Sequence, residues 1–148
     1  MNTRTLVLFG LILLGFSLPN FSAVIKVNGH AVDFEGKLSL AFRVNSQNEL
    51  MAFDGYQCNE IKLDGKSYVF GDKPFGRIAF MPEDETNSSY AIFITGEGRI
   101  SLPVVVANLS AFKLLGPDNK KIRFQAEKNT ITFNMTPELS GKWLRLIW

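Results

Sequence analysis

Short runs of β-branched and aromatic residues alternate with turn signals about every ten residues along most of the chain, a spacing typical of all-β domains. The first such pair of runs surrounds Asn28-Gly29, and a later pair surrounds Asp64-Gly65. Both dipeptides favour the type I′ turn that closes a tight hairpin. The sequence therefore predicts one hairpin from Val24–Val27 to His30–Phe34 and a second within Glu60–Phe70.

Between the two hairpins, Leu38, Leu40, Phe42 and Val44 alternate with mostly polar residues, which predicts a strand that is buried on one face. The same reasoning predicts further strands at these ranges: Arg77–Met81, Tyr90–Ile94, Arg99–Leu102, Phe112–Leu115, Lys121–Gln125, Thr130–Asn134 and Trp143–Trp148. No segment has helical periodicity of helix length. We expect an antiparallel, Greek-key-like β-sandwich of two sheets, with the thirteen phenylalanines supplying much of its core.

The first residues have the layout of a secretory signal peptide, because Arg4 precedes an apolar run from Leu6 to Phe16 and small residues follow. Cleavage is expected after Ala23, with Ser17 as a competing site. Residues 24–148 then form a single domain. No later segment has the length of apolar sequence that a membrane-spanning helix needs. We expect a secreted, extracellular protein.

Charge and cysteine content narrow the choice of partners. The formal net charge is +2 and charged residues are scattered singly, so the sequence shows no basic footprint for nucleic acid or anionic lipid. Cys58 is the only cysteine and has no partner for an intrachain disulfide. It is expected to be a buried free thiol or to form an interchain disulfide.

Three sequons for N-glycosylation follow the predicted signal peptide, beginning at Asn87, Asn108 and Asn134. Asn134 shares a strand face with Thr132, whereas Ile131 and Phe133 point the other way. The Asn134 side chain should therefore reach solvent.

Residues that could support catalysis are few. His30 is the only histidine and follows a hairpin turn, where a solvated side chain is expected rather than a catalytic one. One histidine and one cysteine cannot make a structural zinc site. The acidic segment Glu83-Asp84-Glu85 is expected to be a solvated loop, with a weak Ca²⁺ site as the alternative. We expect no cofactor and no enzymatic activity of the chain's own.

Aromatic residues are the best candidates for ligand contact. Trp143, Tyr56 and Tyr68 are possible ligand-contacting rings, for which packing in the core or at its rim is the alternative. In the last predicted strand, Trp148 shares the face of Leu144 and Leu146 and is expected to be buried. Trp143 lies on the opposite face and is expected to be more accessible.

Five short apolar motifs in the second half of the chain resemble the C-terminal β-sandwich domain of α-L-fucosidases. They are, in order, Tyr90-Ala91-Ile92-Phe93, Ile100-x-Leu102-Pro103, Lys113-Leu114-Leu115-Gly116, Ile122-x-Phe124 and Ile131-x-Phe133. The resemblance implies an accessory domain. The family's catalytic residues belong to an N-terminal barrel for which this chain has no room, so no catalytic residue is carried over.

These observations lead to an expected function with two alternatives. The first expectation is a secreted, non-catalytic β-sandwich protein that binds a carbohydrate or an extracellular protein. The second is a structural or interaction glycoprotein of secretions without affinity for glycans. The third is a small glycosidase-like enzyme, which would need two carboxylates held at a fixed separation.

Overall fold

The computed structural model describes residues 24–37, 40–84, 88–105 and 111–148, and this part of the chain is almost entirely β. A short 3-10 helix, Pro117–Asn119, lies between two of the strands. The strands are β1 (Val24–Val27), β2 (His30–Phe34), β3 (Leu40–Val44), β4 (Leu50–Cys58), β5 (Glu60–Leu63), β6 (Lys66–Val69), β7 (Phe75–Pro82), β8 (Ser89–Thr95), β9 (Gly98–Pro103), β10 (Lys113–Leu115), β11 (Lys121–Ile122), β12 (Phe124–Glu127), β13 (Thr130–Met135) and β14 (Trp143–Ile147).

The strands form three antiparallel sheets. The largest has seven strands in the order β11-β10-β14-β8-β7-β4-β3, and the others have the orders β1-β2-β5-β6 and β12-β13-β9. Several neighbours in the large sheet, such as β8 and β14, are far apart in sequence. The predicted all-β antiparallel sandwich is confirmed, and the layer opposite the large sheet is divided into two smaller sheets.

One hydrophobic core joins the layers, because inward side chains from all three sheets belong to the same buried cluster. The ring of Phe53 on β4 lies 4.9 Å from that of Phe70 and 6.1 Å from that of Phe80. Phe34, from the four-stranded sheet, meets Phe53 at 6.2 Å. Each such ring contributes roughly 1.5 to 3 kcal/mol when it leaves water. The predicted phenylalanine-rich core is confirmed.

Both predicted hairpin turns have the expected backbone. The φ angles are 49° at Asn28 and 84° at Gly29, and 50° at Asp64 and 84° at Gly65. Two successive positive φ values define the type I′ turn, whose twist matches that of the strands it joins. Because β2 pairs with β5, the two hairpins lie side by side in the four-stranded sheet.

Two features of the strands differ from the predictions. The predicted strand Lys121–Gln125 is wrong as one element, since β11 pairs with β10 in the large sheet and β12 pairs with β13 in the small one. The nine-residue strand β4 was not predicted at all. Its alternation is broken where Met51 bulges opposite the Arg43–Val44 step of β3.

The strand predicted over Leu38–Val44 is described only from Leu40, and Leu38 lies outside the described residues.

In the part of the chain that is described, no helix is long and apolar enough to cross a membrane.

Candidate binding surface

The exposed side of the seven-stranded sheet, which we call the outer face, is formed by the side chains that point away from the core. On β8, Ala91, Phe93 and Thr95 alternate with three buried residues of the core. The register places Asp54, Ala79, Phe93 and Trp143 directly beside one another across four adjacent strands. Side chains that neighbour each other in this way are close enough to interact.

Four side chains form a continuous line across the outer face, which we call the stacked row: Tyr56, Arg77, Phe93 and Trp143. The guanidinium carbon of Arg77 lies 5.1 Å from the Tyr56 ring centroid and 5.3 Å from that of Phe93. The Phe93 and Trp143 rings are 5.2 Å apart and tilted by 52°. The row crosses three inter-strand gaps, a length of about 14 Å at the usual strand spacing.

A bidentate ion pair holds the arginine of the row in place. Arg77 donates from Nε to Oδ1 of Asp54 at 2.9 Å and from Nη2 to Oδ2 at 2.8 Å. The hydrogen bond that Arg77 donates to Asp54 raises the pKa of Arg77 above its ordinary value, so the guanidinium stays charged. The two side chains are 31% and 29% exposed, which leaves polar atoms of the pair within reach of a ligand.

Apolar surface is exposed along and beside the row. Trp143 is 55% exposed and Met81, on β7, is 41% exposed. The small side chain of Ala91 on β8 lies opposite Met81 in the cross-strand register. The outer face therefore presents exposed apolar area beside the Asp54–Arg77 ion pair.

The predicted ligand-contacting aromatics fall on two different surfaces. The structure places Trp143 and Tyr56 in the stacked row, with Tyr56 half-buried. Tyr68 lies on β6 in the four-stranded sheet, where its hydroxyl accepts a hydrogen bond from the Leu50 amide at 3.1 Å. Lys66 Nζ lies 5.0 Å from its ring centroid. Tyr68 is thus held by structural contacts away from the row.

Tyr68 also lines a cleft of about 340 Å³ between the two smaller sheets. The edge strand β6 forms one wall, and Ser101 and Pro103 of β9 belong to the other. The two edges are joined where the Ser101 amide donates to the Phe70 carbonyl at 2.8 Å. Lys66, Lys128 and Glu49 give the cleft a mixed charge, and its aromatic lining residues are Tyr68 and the buried Phe70.

Trp148 differs from its predicted burial. Its ring lies 4.8 Å from Phe112 and 5.9 Å from Tyr90, yet 39% of the residue remains exposed. The strand β14 ends at Ile147, so Trp148 leaves the regular alternation and packs at the rim of the core.

His30 and Cys58 have structural surroundings. His30 Nδ1 lies 2.7 Å from Oδ2 of Asp64, and only 20% of the His30 side chain is exposed. The expectation of a solvated histidine is therefore wrong, because the side chain is partly buried and paired with Asp64. Cys58 is fully buried and free. Burial raises the pKa of its thiol to about 12, which keeps it protonated and inert. An interchain disulfide would require this part of the core to open.

The acidic segment is occupied by local contacts. Arg145 Nε donates to Glu83 Oε2 at 2.9 Å and to Oε1 at 3.2 Å. Asp84 accepts a hydrogen bond from the Ser88 amide at 2.9 Å. Glu85 lies outside the described residues, and no group of three or more metal-ligating side chains occurs within them.

Of the three sequon asparagines, only Asn134 lies in the described part of the chain; Asn87 and Asn108 lie outside it. Asn134 is exposed on β13, between buried Phe133 and buried Met135, as the alternation predicts. Glycosylation at all three positions stays a prediction.

Three residues of the outer face were not singled out from the sequence. Phe93 sits inside an apolar strand, and only the two-residue period separates it from its buried neighbours Ile92 and Ile94. Arg77 and Asp54 are 23 residues apart, and Asp54 belongs to the unpredicted β4. An arginine within an otherwise apolar strand was the one available sequence signal for this pair.

Any conclusion about the function of this protein rests on its fold and on its outer face. No protein-family model matches the chain, and no curated protein matches it. The resemblance to the fucosidase accessory domain therefore stays a prediction, and the class defined by the structure is an all-β sandwich with a stacked row on its larger sheet.

Proposed function

We propose that this protein is a secreted, non-catalytic β-sandwich that binds carbohydrate on the outer face of its seven-stranded sheet. The observation that carries the proposal is the stacked row, in which Tyr56, Arg77, Phe93 and Trp143 are aligned across four strands with the last ring largely exposed. The resemblance to an accessory domain of a glycosidase points to the same class of ligand.

The chemistry of the row suits a sugar chain. A pyranose ring has an apolar face of C–H groups and an edge of hydroxyls, so it gains by stacking on an aromatic ring while its hydroxyls bond to polar groups beside it. Trp143 supplies exposed aromatic area. The Asp54–Arg77 pair supplies an acceptor and donors within the same row.

Rigidity of the row also favours binding. Its side chains lie on neighbouring strands, and Arg77 is fixed by two hydrogen bonds and two ring contacts. A preformed surface loses little side-chain entropy when a ligand binds. Its length of about 14 Å, from three strand spacings, fits a short oligosaccharide rather than a single sugar.

A protein partner is the second candidate function, and the exposed Met81 and Trp143 favour it. Tryptophan, tyrosine, methionine and arginine are enriched at protein interfaces, and the outer face offers all four. A partner protein would bury the same residues as a glycan would.

Isothermal titration with a panel of soluble neutral and acidic polysaccharides tests the proposal. Binding should occur, and Trp143→Ala should weaken it about tenfold, the loss of one aromatic stacking contact. Trp148→Phe is the matched control, because it alters a tryptophan at the rim of the core and leaves the row intact.

Hydrolysis of aryl glycosides is measured on the same preparation, and no turnover is expected. Robust turnover would overturn the non-catalytic assignment. Equal affinity of Trp143→Ala and the unaltered protein would overturn the proposed site. A blank across the whole polysaccharide panel would leave the protein partner as the better account.

A further inference from the structure

The outer face carries an excess of positive charge that the stacked row does not use. Outward positions of the large sheet hold five basic residues and, within the strands, one acidic residue, Asp54. The five are Arg43 on β3, Arg77 on β7, Lys113 on β10, Lys121 on β11 and Arg145 on β14. This excess exists although the formal net charge of the whole chain is only +2.

Two of the five are neutralised by carboxylates and three are not. Arg77 is paired with Asp54, and Arg145 is paired with Glu83. Arg43, Lys113 and Lys121 are exposed, and within the described residues no carboxylate lies within 4.0 Å of them. They lie on strands near the two ends of the sheet order, on either side of the stacked row.

The opposite layer has no comparable excess. The strands of its two small sheets carry four basic residues and three acidic ones, which are Lys26, Lys62, Lys66 and Arg99 against Asp33, Glu60 and Glu127. The molecule is therefore electrostatically asymmetric, with the positive side coinciding with the exposed aromatic surface. Such a field raises the local concentration of anions before contact is made.

We propose that the ligand of the outer face is an acidic polysaccharide whose charges are carboxylates, such as a polyuronate. This inference rests on the proposed function and specifies its substrate class. Sugar rings stack on the row while carboxylates along the polymer reach the cations on both sides of it. The full sheet, with six inter-strand gaps, extends about 29 Å, so a polymer engages both ends where a short oligosaccharide does not.

The arginine contacts already present show that the outer face can hold a carboxylate. Arg77 binds the Asp54 carboxylate bidentately, and Arg145 Nε contacts both oxygens of Glu83. A planar guanidinium fork matches a planar carboxylate. The arginines of this face therefore already bind carboxylates. The carboxylate of a uronate can compete with the exposed Glu83 for Arg145.

The test compares polygalacturonate with its fully methyl-esterified form, which keeps the sugar backbone and removes the charge. We expect the acid polymer to bind at least about tenfold more tightly at low salt, with the difference shrinking as salt is added. The variant Arg43→Gln/Lys113→Gln/Lys121→Gln should lose about tenfold in affinity for the acid polymer, the effect of three exposed ion pairs.

The matched control is Lys26→Gln/Lys73→Gln/Lys128→Gln, which removes the same charge from exposed positions away from the outer face and should bind like the unaltered protein. An equal loss of affinity for the acid polymer in both triple variants would contradict the placement of the binding site on the outer face. Equal binding of acid and ester would overturn the charge preference while the proposed function stands, and binding of neither would count against both.

Heparin, a polymer dominated by sulfate, forms the third arm of the experiment. Weaker binding of heparin than of polygalacturonate, despite its higher charge density, supports recognition of carboxylate. Tighter binding of heparin would overturn the carboxylate assignment and make the outer face a general polyanion surface.

Discussion

At the scale of single residues, the main polar contacts hold elements of the fold together. Asp64 shows this best, because its carboxylate accepts from the Ala31 amide at 2.8 Å and lies 2.7 Å from His30. Those bonds link the turn of the second hairpin to the strand that follows the first turn. The hydrogen bond with His30, followed by that with Ala31, lowers the pKa of Asp64.

Acid should therefore destabilise the protein partly through Asp64. A carboxyl whose folded-state pKa is lowered stabilises the fold above its unfolded-state pKa, and that contribution is lost as the pH falls through the folded-state value. In urea unfolding, the loss of stability between pH 5 and pH 2.5 should be smaller in Asp64→Asn than in the unaltered protein. Asp72→Asn, at an exposed position between β6 and β7, should lose as much stability over this pH range as the unaltered protein. Equal losses in all three proteins would contradict this role.

At the scale of elements, tight turns were easier to predict from the sequence than the central strand. The Asn28-Gly29 and Asp64-Gly65 turns were predicted correctly because the left-handed conformation they need is chemically restricted to a few residue types. Strand β4 was missed because a bulge at Met51 and a positive φ of 48° at Gln57 interrupt its two-residue period. Tertiary pairing on both sides, with β3 and β7, stabilises it instead.

Gly65 offers a direct test of the turn argument. Its φ is +84°, and an added Cβ would meet no atom within 4 Å, so any cost of a side chain is conformational. Gly65→Ala should lower the free energy of unfolding by about 1 kcal/mol. Gly65→Asn should lower it less, because asparagine tolerates the left-handed region. A loss in Gly65→Asn equal to or larger than that in Gly65→Ala, measured by urea titration, would refute the explanation.

At the scale of the whole molecule, the predicted modification and the proposed binding surface lie on opposite layers. Asn134 is exposed on β13 of the three-stranded sheet, whereas the stacked row is on the seven-stranded sheet. A glycan at Asn134 would leave the outer face free. Expressed in a host that glycosylates, Asn134→Gln should lose one glycan by mass and keep the polysaccharide affinity unchanged. A changed affinity would mean that this position contacts the ligand.

The fold class followed from the sequence, but only part of the candidate surface did. Alternation within β14 correctly made Trp143 accessible, since the period of two assigns faces within any single strand. Which strands become neighbours is decided by long-range packing. The strand register shows that Phe93 and Arg77 lie beside Trp143 and Tyr56 on the outer face. It also shows that Tyr68 lies on a different sheet.

The central claim is that the stacked row is the surface that binds carbohydrate. Its most direct test is an NMR titration of the aromatic side chains with trigalacturonate, which is short enough to occupy the row. The account predicts shift changes concentrated at Tyr56, Phe93 and Trp143, with Tyr68 and Trp148 unchanged. Changes centred on Tyr68 in the cleft between the small sheets, or saturating binding that leaves Trp143 unperturbed, would contradict it.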